Sequence, residues 1–216
     1  MSELFDFDNS FGKIIIGTDE AGRGPAAGGV FVACACFREK TETLIKELAD
    51  LNDSKKLTRK KREALYDIVK ENTVNSIINI EVDEIERINI LNASLKGMKL
   101  TCEAVIAKLG LNAEEKKEIL TLVDGNKLIK DYIYPQKFII KGDGKSASIA
   151  AASILAKVSR DRYMEKLDAE FPQYNWKNNA GYLSEEHLAA IDKYGLTKYH
   201  RASFLQKHFT KPLSLL

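Results

Sequence analysis

Residues 14–32 read IIIGTDEAGRGPAAGGVFV, and their reading decides the fold. An Ile run of strand type ends in two adjacent carboxylates, Asp19 and Glu20. A Gly/Pro turn carrying Arg23 follows, and GGVFVACACF at once resumes strand character. Two runs joined so closely are expected to be antiparallel neighbours. The letters GRGPAA at residues 22–27 fit the G-x-G-x-x-G/A dinucleotide fingerprint. That fingerprint needs a helix opening inside it to hold a pyrophosphate, and here a strand follows instead. What remains is a tight turn whose backbone N–H groups a sugar-phosphate chain can approach closely, because glycine has no side chain.

Outward from this stretch, LNDSKKLTRKKREALYDIVKEN has helical periodicity, with Thr58 as a cap and Leu65, Ile68 and Val69 facing in. TVNSIINIEV returns to a strand pattern. Residues 83–110 are helical in two segments, stopped by Gly110. EILTLVDGNK and KFIIKGDGK read as short strands, and SIAAASILAKVSRDRYMEKLDAEF is the longest helical pattern, closed by Pro172. PQYNWKNNAGYLS reads as a polar and aromatic loop, and SEEHLAAIDKYG as a further short helix opened by Ser184. Strands and helices interleave, so the expected class is α/β, a mixed sheet flanked by helices with a small C-terminal helical portion. The expected division is a main domain over 1–178 and a helical extension over 179–216 packed on it.

The chain has 216 residues and a formal net charge of only +2, so composition does not announce a nucleic-acid binder and any basic patch must be local. The densest basic run is Lys55, Lys56, Arg59, Lys60, Lys61 and Arg62. Such a run is usually a solvated helix face, and beside Asp53 and Ser54 it could also grip phosphates. Cys34, Cys36 and Cys102 form no disulfide or zinc pattern and read as small apolar fillers in a reducing compartment. The acidic start MSELFDFDNSFGK has no secretory pattern, and no apolar run nears the roughly 20 residues of a membrane span. The expectation is a cytoplasmic protein with no membrane partner.

Asp19 with Glu20, and Asp124 in LVDGN, both fall at the C-terminal end of a β run, where ligands sit in α/β sheets. Carboxylates converging there repel unless a hard cation bridges them, and oxygen-only donor sets suit Mg²⁺ or Mn²⁺. The pattern is that of a two-metal site for phosphoryl transfer, with ions roughly 3.5–4 Å apart. Neighbours on a strand point to opposite faces, so Asp19 and Glu20 are expected to converge only if the strand has already bent into the turn. Asp143 in KGDGK shares the same strand-then-Gly context.

DEAGRGP, DSKKL, VDGN, SIAAASILAKVSRD, GY-x-S-x-x-H and YHRASF, in this order and across nearly the whole chain, resemble ribonuclease HII. The resemblance implies a ribonuclease H-like fold and endonucleolytic cleavage of the RNA strand of RNA–DNA hybrids, and of single ribonucleotides embedded in duplex DNA, leaving a 3′-hydroxyl and a 5′-phosphate. It implies that Asp19, Glu20, Asp124 and Asp161 are the catalytic, metal-binding acids for Mg²⁺ or Mn²⁺. Alone, Asp161 would read as an exposed ion-pair partner of Lys157, four residues before it. The resemblance also implies that Gly22, Arg23 and Gly24 contact the ribonucleotide, that Tyr182 packs on the next sugar, and that Lys55 binds phosphate. Asp143 is left a supporting role at most. His187 and His200 read as a helix-cap residue and a packed, hydrogen-bonded histidine. Leu183 stands where the family usually has Pro. The expected protein is a monomer acting on hybrid or ribonucleotide-containing duplexes. The rivals are a ribonuclease HIII-like enzyme that needs runs of ribonucleotides, and an inactive hybrid-binding protein.

Overall fold

The computed structural model describes residues 3–51 and 57–209. Strands β1 (Ile14–Ala21) and β2 (Val30–Phe37) pair antiparallel, with Gly17 opposite Ala35 and Ala21 opposite Phe31. Strand β3 (Thr73–Ile80) adds antiparallel to β2. On the other side of β1 lie β4 (Ile119–Asp124) and β5 (Gln136–Ile139), both parallel, giving a mixed sheet in the order β3-β2-β1-β4-β5.

The alternation along β2 separates two cores. Ala33, Ala35 and Phe37 face one way, into a cluster with α1 (Glu3–Asn9), Leu44 of α2 (Glu42–Glu47), α3 (Arg59–Asn72) and the Ala-rich half of α6 (Ala147–Glu170). Val30, Val32, Cys34 and Cys36 face the other way, packing with Ile85 of α4 (Val82–Ile88) and Cys102 on α5 (Ile90–Leu109). Sheet faces clad by helices on both sides make an α/β fold. The three cysteines are free and buried, as expected of fillers, and burial pushes the Cys36 thiol up to about 11. Small residues let α6 lie directly on β1: a Cβ on Gly17 would stand 2.1 Å from the Ser148 carbonyl carbon. Ser146 caps α6 by accepting from Ile149 N–H, and Thr58 caps α3 as expected. Among the described residues no helix is long and apolar enough to cross a membrane.

Two segments depart from the sequence reading. The acidic N-terminus forms α1, anchored by buried Asp8, whose Oδ2 accepts from the N–H and hydroxyl of Ser148 at the start of α6. A carboxylate at a helix N-terminus satisfies free N–H groups and complements the dipole. PQYNWKNNAGYLS is not simply a loop: it contains a 3₁₀ turn (Pro172–Tyr174) and α7 (Trp176–Asn179). Tyr174 and Trp176 are buried with Leu205 of α9 (Ala202–Phe209), Ile191 of α8 (Glu185–Tyr194), Met164 of α6, and Ala26 and Ala27 of the Gly/Pro turn. The C-terminal helices therefore share a core with the turn that follows β1.

Both histidines belong to that core. Trp176 Nε1–H donates to His187 Nε2 (3.0 Å), and His187 Nδ1 bonds the Tyr182 carbonyl (2.9 Å). His200 Nδ1 accepts from Thr197 N–H, which leaves its Nε2–H to donate toward His187 Nε2 at 3.2 Å. Every ring nitrogen is used in the neutral forms. Burial lowers His187, and burial with the neighbouring His187 lowers His200 to about 4. The folded-state value lies below the unfolded value of about 6.5, so between the two the unfolded chain binds more protons. The stabilisation is complete above pH 6.5 and is lost as pH falls toward 4. Chemical unfolding at pH 5 should give a stability about 2 kcal/mol lower than at pH 7.5 from His200 alone. His200→Gln should flatten that slope, and an unchanged slope would remove the histidine pair as its source.

Candidate active site

The parallel pairing of β1 with β4 ends at Thr18–Val123. Beyond it, β1 follows β2 as far as Ala21, and β4 follows β5 through Asp124. The two strands thus part at their C-terminal ends, and the carboxylates stand at the parting. A cleft of about 570 Å³ opens there, lined by Asp19, Glu20, Asp124, the turn at residues 22–24, and Tyr182.

Asp19 and Glu20 remain within β1, so the bend that would bring them to one face is not made. Their side chains leave by opposite faces. Asp19 is buried on the α6 side, hydrogen-bonded by Ser153 and by the Glu20 N–H, whereas Glu20 borders a recess formed with Ser94 and Met98 of α5. The two share a cleft because it wraps around the end of the sheet. Asp124 borders both sides, held by the Gly142 N–H at 2.7 Å to Oδ1.

Burial, then the charges of Glu20 and Asp124, holds Asp19 well above the usual carboxylate range. Three repelling, oxygen-only donors at one opening fit a hard divalent cation, which would remove that repulsion. Among the described residues no three His, Cys, Asp or Glu side chains are already gathered into a metal-holding cluster. The acids are instead drawn to other groups. Glu20 pairs with Arg23 at 3.2 Å, and Asp161 pairs with Lys157 at 2.5 Å and with Arg62 at 3.5 Å.

Asp161 does not line the cleft; Lys157 and Arg62, which hold it, do. Its pair with Lys157 forms as the spacing suggests, but it is largely buried, its side chain 16% exposed. Asp143 lies buried in the 3₁₀ turn Gly142–Gly144, and it is not part of the lining. Lys55 and Lys56 fall outside the described residues. Of the rest of the basic run, Arg59 pairs with Glu165 and Lys61 with Asp50, so only Arg62 reaches the cleft. Tyr182 is 56% exposed, and its ring stands over Gly24.

Four polar lining residues, Arg62, Ser153, Lys157 and Arg160, are given no site role of their own by the sequence reading, which names Arg62 only within the basic run and Lys157 only as the ion-pair partner of Asp161. The last three had a usable signal: with Asp161 they follow the i, i+4, i+7, i+8 spacing of one helix face. Arg160 is buried beneath the turn. Its guanidinium donates to the carbonyls of Ala27 and Ala180, both at 3.1 Å, and burial lowers its pKa.

Gly22 has φ +101°, and a Cβ there would lie 2.1 Å from Arg160 Nε. Gly24 lies outside the positive-φ region, and its Cβ would only touch the Tyr182 ring at 3.2 Å. The strain expected of a side chain in this turn therefore resides at Gly22. Gly22→Ala should destabilise the protein by about 1–3 kcal/mol and Gly24→Ala by less than about 1 kcal/mol, measured by denaturant unfolding. Equal losses would show that the φ difference is immaterial.

A family model described as Ribonuclease HII matches residues 16–211. The ribonuclease HII of Fusobacterium nucleatum is 46% identical over 205 residues, covering 94% of this chain and 91% of that protein. That of Pelagibacter ubique is 46% identical over 192 residues, covering 89% and 96%. Among solved structures, the PCNA:RNase HII complex of Archaeoglobus fulgidus matches with a TM-score of 0.67 at 23% identity, over 87% of this chain and 93% of that one, a likeness of fold. With a family match across almost all of the fold and relatives of nearly equal length, this chain belongs to the ribonuclease HII family of endoribonucleases.

Proposed function

We propose that this endoribonuclease cleaves the RNA strand of hybrids, and single ribonucleotides within duplex DNA, by metal-assisted hydrolysis in the cleft between β1 and β4. The observation that carries the reading is the meeting of Asp19, Glu20 and Asp124 with the turn at residues 22–24 and Tyr182 around one opening. Two divalent ions, Mg²⁺ or Mn²⁺, held by Asp19, Glu20, Asp124 and Asp161 would make water nucleophilic and neutralise charge on the phosphate and leaving oxygen.

The chain's own groups supply the rest. Arg23, Arg62 and Lys157 line the cleft and attract the phosphate backbone. Ser153 orients the Asp19 carboxylate through its hydrogen bond. Exposed backbone of the turn at Gly22, Arg23 and Gly24 meets the ribose 2′-OH, which both donates and accepts and so separates ribose from deoxyribose. The exposed Tyr182 ring packs on the adjacent sugar. Water oxygen adds to phosphorus and the bond to the 3′-oxygen breaks, leaving a 3′-hydroxyl and a 5′-phosphate. No side-chain nucleophile is required. One turn and one ring span few nucleotides, which suits recognition of a single ribonucleotide.

A duplex with one embedded ribonucleotide should be cut with Mg²⁺ or Mn²⁺ and left intact with chelator, and an all-DNA duplex should not be cut. Cleavage of ribonucleotide runs alone would point to a ribonuclease HIII-like specificity. Asp124→Asn keeps the shape and removes a ligand charge, so cleavage should fall by at least about a hundredfold while hybrid binding persists. Asp143→Asn should lose far less activity than Asp161→Asn. Equal losses from folded variants would place the fourth acid elsewhere.

A further inference from the structure

The turn at residues 22–24 has no regular secondary structure of its own to hold its peptide groups in place. What lies beneath it is Arg201, in the closing YHRASF segment, whose side chain is fully buried. Its Nη2 donates to the carbonyls of Gly22 (2.7 Å) and Gly28 (2.6 Å), its Nη1 to that of Arg23 (3.2 Å), and its Nε again to Gly28 (2.9 Å). One guanidinium thus ties together the start and the end of the Gly/Pro turn. The backbone adds to the tie: Arg201 N–H donates to Ala26 (2.7 Å), Gly28 N–H donates to Tyr199 (2.8 Å), and Ala27 bridges His200. The guanidinium plane also rests near the Phe204 ring, 5.2 Å from its centroid.

The consequence follows from peptide geometry. In a trans peptide the C=O and the next N–H point in opposite directions. With the Gly22 and Arg23 carbonyls drawn inward to Arg201, the N–H groups of Arg23 and Gly24 are turned outward, on the side where these residues line the cleft. Among the described residues neither N–H has a hydrogen-bond acceptor. Two successive outward N–H groups make a concavity that welcomes an oxygen lone pair.

We propose that Arg201 is a positioning residue for ribose recognition: by holding the Gly22 and Arg23 carbonyls inward, it presents the Arg23 and Gly24 N–H groups to the 2′-oxygen. This rests on the proposed reading of that turn as the ribose sensor. Arg201 touches neither substrate nor reacting atoms. A planar, five-donor fork is what the task requires, since several carbonyls must be held by one fixed group, and a lysine ammonium cannot span both ends of the turn.

The test measures binding in chelator, so that cleavage does not intervene, of two duplexes equal in sequence, one with a single ribonucleotide and one all-DNA. Wild-type protein should prefer the ribonucleotide duplex. Absence of that preference would overturn the ribose-sensor reading itself. Given the preference, Arg201→Lys should reduce it about tenfold, the weight of one well-made hydrogen bond, with affinity for the all-DNA duplex little changed. A folded Arg201→Lys protein with undiminished preference would overturn the role of Arg201 and leave the sensor standing. Because replacing a buried arginine can prevent folding, a second measurement uses the wild-type chain. Amide hydrogen exchange at Arg23 and Gly24 should be fast in the free protein, slowed by the ribonucleotide duplex and not by all-DNA. Exchange already slow in the free protein, or unaffected by the ribonucleotide duplex, would overturn the proposal.

Discussion

The architecture turns on the loss of one ladder, that between β1 and β4 after Thr18–Val123. Strands in a twisted sheet diverge where they cease to share hydrogen bonds, and here each finds a different neighbour to follow, β2 for β1 and β5 for β4. The gap exposes the end of the sheet at its centre, not at an edge. Carboxylates that would be on opposite faces of a continuous sheet can then border the same opening. The close approach of α6 at Gly17 completes the arrangement. It brings Ser153 to Asp19 and carries Lys157 and Arg160 to the cleft wall, all from a helix whose N-terminus is fixed by Asp8.

The cleft has walls of different chemistry. One is formed by acids at strand ends, where burial and mutual repulsion keep Asp19 from ionising at its ordinary pH. The other is backbone, shaped by two buried arginines that face carbonyl oxygens instead of carboxylates. Guanidinium groups beneath carbonyls stiffen a turn without adding an anion to a site already rich in them. Burial, then the charge of Arg160, lowers the Arg201 pKa to about 9, a penalty offset by hydrogen bonds to three backbone carbonyls. The C-terminal helices are part of this device, since Trp176, His187 and His200 fasten the Tyr182 carbonyl while Gly181 accepts from Ala26 N–H.

Local signals in the sequence reached far. Strand-type apolar runs on either side of a Gly/Pro turn identified β1 and β2 as antiparallel neighbours, Thr58 and Ser184 marked helix starts, and the strand after GRGPAA spoke against a dinucleotide site. That Asp19, Glu20 and Asp124 border one opening was legible because carboxylates at strand ends are out of place without a ligand. What was not legible depends on distant partners. Asp8 finds Ser148 across 140 residues, so nothing near it in the chain marks it as buried. Trp176 and Tyr174 sit among Asn and Gly, and their burial comes from α6, α8 and α9. Arg160 and Arg201 stood inside quoted motifs, yet a lone arginine in sequence reads as a surface charge. Only the fold reveals that carbonyls surround them. The strand-bend condition was too narrow for a related reason: alternation was correctly applied to Asp19 and Glu20, but a cleft wrapping around a sheet end lies outside any one-strand argument.

The pairing of the acids also bears on the charge balance of the cleft. Glu20 is matched by Arg23, and Asp161 beside the cleft by Lys157 and Arg62, so neither carboxylate is a bare charge. Arg23 in the Glu20 pair is 48% exposed, and exposed ion pairs hold each other weakly, typically by less than about 1 kcal/mol, whereas the Asp161 pairs are largely buried. A divalent cation offering direct coordination to several carboxylates would displace them. The displaced groups would be Arg23, Arg62 and Lys157, three of the four cations that line the cleft, and a nucleic-acid backbone is the anion that would meet them there. The same arginines and lysine can thus neutralise the acids in one state and the phosphates in the next. On this reasoning, ion entry and substrate binding would favour each other, because an ion held by the acids frees the paired cations for phosphates, and phosphates on the cations free the acids for ions.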